Sequence, residues 1–294
     1  MTIAVIINPV AGAGARDPVD ARVALAEEAI GRSGEPGSVI VAEREGHARE
    51  VAEAAADAGA RLVVAWGGDG TVNEVACGVA FTDTALGIVA GGSGNGLARA
   101  LAIPPPPAAA LAAAIGGRRR RIDAGELDGR LFVNIAGVGF DARVARRFHQ
   151  RSPGRRGPWP YVWLSLREAV SYRPVRYRIS LDDETITVAA LAIVLANGTQ
   201  FGNGFLIAPH ARLDDGRLEA VIPDARPLPA QLWRARHLLS GTPERAAGVI
   251  RRAVTTVTVE TSSPMDCQVD GEPFVAGGRC LTGRVLPGAI VLQY

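Results

Sequence analysis

Two runs of residues combine the types and spacing that chemistry needs. The first is Gly67-Gly68-Asp69-Gly70-Thr71-Val72-Asn73-Glu74, between the apolar run Leu62–Trp66 and a helical pattern over about Val72–Val79. Glycines there let the main chain approach a ligand closely, and successive N–H groups with a helix N-terminus make an anion site. Asp69 is the oddity, because a carboxylate repels phosphate unless Mg²⁺ or a hydroxyl lies between them. In a plain tight turn the same residue would serve as a helix cap. The second run is Asp270-Gly271-Glu272. Residues two apart in a strand face one side, so both carboxylates reach one point and provide a base and a metal ligand. A hairpin turn carrying two solvated acids is the other reading.

The elements that position these runs follow from periodicity. Ile3–Ile7, Val39–Ala42, Leu62–Trp66 and Leu86–Ala90 read as strands, the first as one buried on both faces. Helical patterns at Val19–Gly31, Ala48–Ala58, Val72–Val79 and Leu97–Leu101 alternate with them, which implies an open α/β sheet of parallel strands. Ligands bind such sheets outside the carboxyl ends of the strands. The loops Asn8–Gly14 and Gly91–Gly96 leave that edge together with Gly67–Glu74, so three glycine-rich loops form a main-chain nucleotide cradle. The chain contains no lysine, and all 32 of its basic residues are arginine. That excludes a Walker A lysine, a protein-kinase strand lysine and a Schiff base.

Beyond Pro104–Pro107 and the basic run Arg118–Arg121 the pattern changes to short strands: Leu131–Asn134, Arg176–Leu181, Ile186–Leu195, Leu218–Ile222, Val254–Glu260, Asp266–Val269 and Ala289–Gln293. These imply an antiparallel sandwich, interrupted by helices near Tyr161–Tyr172 and Pro229–Leu239. The expected division is an α/β domain over 1–122 and a β-sandwich domain over 123–284, with a tail of about 285–294 free to return to the first. The formal net charge is +2, yet the arginines concentrate between residues 101 and 180, which suggests an anionic partner there. Three widely spaced cysteines argue against a disulfide framework or zinc site, and no apolar run is long enough to span a membrane. With no basic flank or cleavage site in the first residues, a cytoplasmic protein is expected.

The run Gly67–Glu74, with Asn8-Pro9 before it and Gly92-Ser93-Gly94-Asn95 after it, resembles the diacylglycerol kinase catalytic-domain family of lipid kinases. The resemblance continues through Ile122–Gly125, Asn134–Asp141, Ala196-Asn197-Gly198, Ala208–Gly216 and Val269–Pro273. It implies an active site in the cleft between an N-terminal α/β nucleotide domain and a C-terminal β-sandwich. It implies transfer of the γ-phosphoryl of ATP to a lipid hydroxyl with Mg²⁺, the lipid being diacylglycerol-like. Carried over residue by residue, Asn8 and Gly12 line the nucleotide site. Gly67, Gly68, Asp69, Gly70, Thr71 and Asn73 form the phosphate loop, with Gly92, Ser93 and Asn95 beside it. A structural magnesium site would use the Asp215 carboxylate and the main-chain oxygens of Arg212 and Arg217, with Asp123 linked through water. Glu272 matches the proton acceptor, with Asp270 alongside.

Some positions depart from the family pattern. Ala42 and His47 stand where the family has Thr and Asp, and Gly91–Gly96 lacks a Pro and an Asp. That loop looks more like the sphingosine kinase branch, so a long-chain-base kinase is an alternative. An NAD kinase-like enzyme and a non-catalytic lipid- or nucleotide-binding regulator are two more. The segment Arg143–Arg178 mixes Arg143, Arg146, Arg147, Arg151, Arg155 and Arg156 with Trp159, Tyr161 and Trp163, which suits contact with an anionic membrane surface. Nucleic acid is not expected as a partner, and an exposed sandwich edge would permit a homodimer.

Overall fold

The computed structural model describes residues 2–11, 18–150, 158–201, 205–239, 242 and 245–294. The chain divides into two compact units, one of residues 1–122 with 288–294 and the other of residues 123–287.

The first unit alternates strand and helix: β1 (Ile3–Ile7), α1 (Val19–Ser33), β2 (Gly37–Val41), α2 (His47–Asp57), β3 (Leu62–Gly67), α3 (Asp69–Val79), β4 (Ala85–Ala90), α4 (Gly96–Ala100) and α5 (Pro107–Gly116). The strands lie in the order β2-β1-β3-β4, all parallel. Every residue of β1 and β3 is buried, as strands covered on both faces require. The cover comes from two helix pairs, α1 with α5 and α2 with α3, packed against the strands. Helix α5 begins on Pro107, a residue suited to a first helical turn, so the prolines that punctuate the sequence also start an element that the alanine run conceals.

The second unit is antiparallel. β5 (Arg119–Leu127) leads into it, followed by β6 (Arg130–Phe132), β7 (Ile135–Gly139), α6 (Phe140–His149), α7 (Pro158–Ser171), β8 (Val175–Leu181), β9 (Glu184–Ala190) and β10 (Ala192–Ala196). Then come β11 (Leu218–Pro223), α8 (Leu228–Leu239), β12 (Val249–Val254), β13 (Thr256–Glu260), β14 (Asp266–Val269), β15 (Glu272–Val275) and β16 (Cys280–Gln293). One sheet has the order β12-β11-β10-β7-β14-β15. The facing layer runs β9-β8-β13 to the first half of β16, with β5 and β6 beside it. Between them lies a core that includes Phe132, Val138, Ile179, Leu195, Val257 and Leu281. The last residues of β16, Val291 and Leu292, pair in parallel with β4 of the first unit.

One expected strand splits. Ile186–Leu195 reads as a single run, but β9 and β10 lie in different sheets. At the corner the Leu191 N–H bonds to the Pro223 carbonyl and its own carbonyl accepts from Phe140. The apolar pattern does not show this break because both halves bury side chains in the same core.

Candidate active site

The loops after β1, β3 and β4 all leave the carboxyl edge of the parallel sheet, and hydrogen bonds tie them together. Asn8 donates from Nδ2 to Thr71 Oγ1 at 2.8 Å and accepts the Val10 N–H on Oδ1. The Gly91 N–H bonds to the Gly67 carbonyl at 2.8 Å. A Cβ on Gly92 would lie 2.6 Å from the Gly68 Cα, and a Cβ on Gly67 would overlap the Thr71 side chain. Side chains are absent here because main chain lies on main chain, and α3 begins at this contact with no side chain capping its N-terminus. Gly70 and Asn73 sit half-buried on the first turns of α3, and Ser93 is exposed at the tip of its loop. Gly12 lies outside the described residues.

Asp69 has a different task from the one its charge suggests. Its two carboxylate oxygens accept the Asn95 and Gly96 N–H groups, each at 2.8 Å, and so cap α4 from across the site. Asn95, in the left-handed region at φ 53°, closes its own loop. Its Oδ1 accepts from the Gly92 N–H and its Nδ2 donates to the Gly92 carbonyl.

Arg22 completes the cradle, and no motif points to it. It is buried on α1, and its guanidinium donates to the carbonyls of Asn8, Pro9 and Ala11 at 3.2, 3.2 and 3.3 Å. Its signal in the sequence is an arginine at i in a buried series continued by Ala26 and Ile30 at i+4 and i+8. His47, where an Asp is expected from the resemblance, accepts the Glu43 N–H on Nδ1. Glu74 accepts the Gly46 N–H, so that neighbouring loop is also fastened to α3.

In the second unit Asp270-Gly271 is a two-residue hairpin turn with φ 47° and 90°, joining β14 to β15 with Val269 opposite Glu272. The two acids therefore do not share a strand face. Nor is Asp270 solvated: it is buried, and its carboxylate accepts the N–H groups of Val133, Asn134 and Ile135 at 2.8, 3.0 and 2.9 Å. It locks the hairpin to the start of β7. Glu272 is exposed at the first position of β15.

A further support stands behind the turn. The Gly271 N–H bonds to Gln268 Oε1 at 2.8 Å, and Gln268 Nε2 donates to Asp141 Oδ2 at 3.2 Å. Asp141, on the first turn of α6, sits against the main chain of Gly137, and its Oδ1 is buried without a hydrogen-bond partner. Burial pushes its carboxyl up to about 6, against the opposing effect of the Gln268 bond.

The acidic turn expected to hold a cation is fastened to buried Asp123, whose Oδ2 accepts the Gly216 N–H at 2.7 Å while its own N–H bonds to the Leu213 carbonyl. Asp215 accepts the Arg217 N–H, and Arg212 pairs with Asp214 at 3.4 Å. Among the described residues no three His, Cys, Asp or Glu side chains converge as a metal cluster. A cation there would rest on Asp215 and the main-chain oxygens of Arg212 and Arg217. All of these are hard oxygen donors, which suits Mg²⁺ with water completing its shell. Close by, Asn197 donates to the carbonyls of Asp123 and Val133, while the Oδ1 atoms of Asn197 and Asn134 are buried without a partner.

Both parts of the chain match known protein families. Residues 2–127 match the diacylglycerol kinase catalytic domain, and residues 134–293 match the YegS C-terminal NAD kinase beta sandwich-like domain. A Pseudomonas aeruginosa protein named "Probable lipid kinase YegS-like" is 35% identical over 277 residues, covering 93% of this chain and 88% of its own. The chain belongs to the diacylglycerol kinase and YegS-like family of lipid kinases. Another member, from Chromohalobacter salexigens and carrying the same name, is 32% identical over 90% of this chain and 87% of its own. A Staphylococcus haemolyticus "Diacylglycerol kinase" is 29% identical over 82% of this chain and 74% of its own. The fold of this family member is that of a Bacillus anthracis diacylglycerol kinase structure, with a TM-score of 0.75 and 16% identity over 100% of this chain and 96% of that one.

Proposed function

We propose that this lipid kinase family member transfers the γ-phosphoryl group of ATP to the hydroxyl of a diacylglycerol-like lipid alcohol. The observation that carries the reading is the main-chain cradle of the three loops, fastened by Asp69, Asn8 and Arg22. In a chain without lysine, such a cradle holds phosphates through amides and a helix N-terminus.

Glu272 is the proposed base. Asp270 is committed to three amides, whereas Glu272 stands exposed on a hairpin held from two sides. In the proposed step Glu272 takes the hydroxyl proton as the lipid oxygen bonds to the γ-phosphorus. The bond from that phosphorus to its bridging oxygen breaks, leaving ADP and the phosphorylated lipid. Asp215 with the main-chain oxygens of Arg212 and Arg217 is the proposed magnesium site, where the ion would supply fixed positive charge to Asp215 and, through water, to Asp123.

The test is labelled ATP with Mg²⁺ and a panel of lipid alcohols in mixed micelles. Labelled diacylglycerol product is expected, with kcat reduced about 10²- to 10⁴-fold in Glu272→Gln and ATP affinity kept. Labelling of a long-chain base instead would change the acceptor, and labelling of NAD would replace the lipid reading. ATP bound without turnover on any acceptor would overturn catalysis.

A further inference from the structure

Helices α7 and α8 are amphipathic in an unusual sense, because their solvent faces carry aromatic residues. On α7 Leu164 and Glu168 are buried, while Trp163, Arg167 and Val170 (i, i+4 and i+7) face outward. Trp163 is 57% exposed and Val170 73% exposed. The Arg167 guanidinium lies 5.7 Å from the Trp163 ring centre. Helix α8 repeats the arrangement with Pro229, Trp233 and Arg236 outward and Arg234 buried against Asp224. Trp233 is 58% exposed, with the Arg236 guanidinium 3.4 Å from its ring centre. Indoles of this kind are costly in water and contribute little to folding, so they point to something that covers them.

We propose that the outward faces of α7 and α8 are the surface by which this protein sits on an anionic bilayer. Indole rings rest at the headgroup level of a membrane, and a guanidinium beside each ring is placed at lipid phosphates. Charge supports a bilayer of that sign: Arg167 and Arg236 stand on the outward faces, and the single acid of the two helices, Glu168, is buried. This surface differs from the one the sequence suggests. Arg143, Arg146 and Arg147 are spent on ion pairs with Glu168 and Asp266, and Arg151, Arg155 and Arg156 lie outside the described residues. Among the described residues no helix is long and apolar enough to cross a membrane, so the contact is peripheral.

The experiment uses the full chain without ATP, which separates it from the catalytic reading. Flotation is measured with phosphatidylcholine vesicles and with vesicles that also contain phosphatidylglycerol, and indole fluorescence is quenched with brominated lipid. Binding only to the anionic vesicles is expected, with quenching of the exposed tryptophans. Trp163→Ala with Trp233→Ala should weaken it roughly tenfold, and Arg167→Gln or Arg236→Gln about fivefold each. Circular dichroism and thermal melting of the variants serve as the fold control. Equal binding to neutral vesicles, no binding, or undiminished binding by a folded double tryptophan variant would overturn the proposal. Should the double variant melt with the wild type's transition lost, the arginine variants decide in its place.

Discussion

The two units place the groups proposed to act by opposite means. In the first, the proposed chemistry is main chain: loops without side chains close on one another where Gly67, Gly68, Gly91 and Gly92 touch, at the start of α3. In the second it is side chain: Glu272 projects from a turn that Asp270 locks to β7 and that Gln268 and Asp141 brace. A cradle made by removing atoms is rigid through close packing and tolerates no additions. A side chain held by a polar network is rigid through satisfied hydrogen bonds and tolerates no deletions. The difference can be broken at both ends.

The largest expected effect is a deletion in the second unit. Asp270→Ala leaves three buried amides without an acceptor, each worth about 1–3 kcal/mol. A loss of about 3 kcal/mol or more in unfolding free energy is expected from urea titration. Asp270→Asn, which keeps one acceptor and tolerates the left-handed backbone at φ 47°, should lose less. Equal stability of Asp270→Ala and the wild type would show that the turn is held by the β14–β15 pairing alone.

The next effect is an addition in the first unit. Gly92→Ala sets a methyl 2.6 Å from the Gly68 Cα and 2.9 Å from Asn95 Oδ1, and the nearer obstacle is backbone that cannot rotate away. Overpacking of this kind costs about 1–3 kcal/mol. Because the strain falls where two loops meet, ATP affinity measured by calorimetry should fall by about tenfold or more with it. Unchanged affinity would separate the Gly92 loop from the cradle.

This contrast also explains what was legible in the sequence. Glycine runs after apolar runs announce the parallel sheet and its loops, because strand, turn and helix are each written in contiguous residues. The supports are not contiguous. Asp270 reaches Val133–Ile135 and Asp69 reaches Asn95 and Gly96 across long sequence separations, so spacing alone gave Asp270 a solvated or catalytic role and left Asp69 between a metal-facing role and a helix cap with no helix named. Arg22 and Gln268 belong to no motif, and the aromatic face of α8 is invisible until Arg234 is seen to be the residue turned inward. Helix α6 escapes for a local reason: it starts at Phe140 directly from β7 through Gly139 at φ 101°, with no linker to separate the two periodicities.

The smallest effect tests whether the network in the second unit is fully satisfied, and it depends on pH. Asp141 is the member with an oxygen left unpaired, and it acts electrostatically on Tyr172, Tyr177 and Cys267 beside it. Its carboxyl is raised to about 6 in the folded protein, against about 3.9 in an unfolded chain. The folded state therefore holds this proton more tightly than the unfolded state does. Its contribution is fully present below about pH 4, is lost as pH rises through about 6, and amounts to about 3 kcal/mol. Carboxylates elsewhere with lowered values, Glu35, Glu50 and Asp182, work in the other direction, so the quantity to measure is the difference between wild type and Asp141→Asn in urea unfolding at several pH values. Asparagine keeps the acceptor for Gln268 Nε2 and has no proton to lose, so the variant should gain on the wild type as pH rises from about 4 to about 7. A constant difference across that window would mean that Oδ1 is paired in solution and that this network, like the glycine cradle, is held by packing.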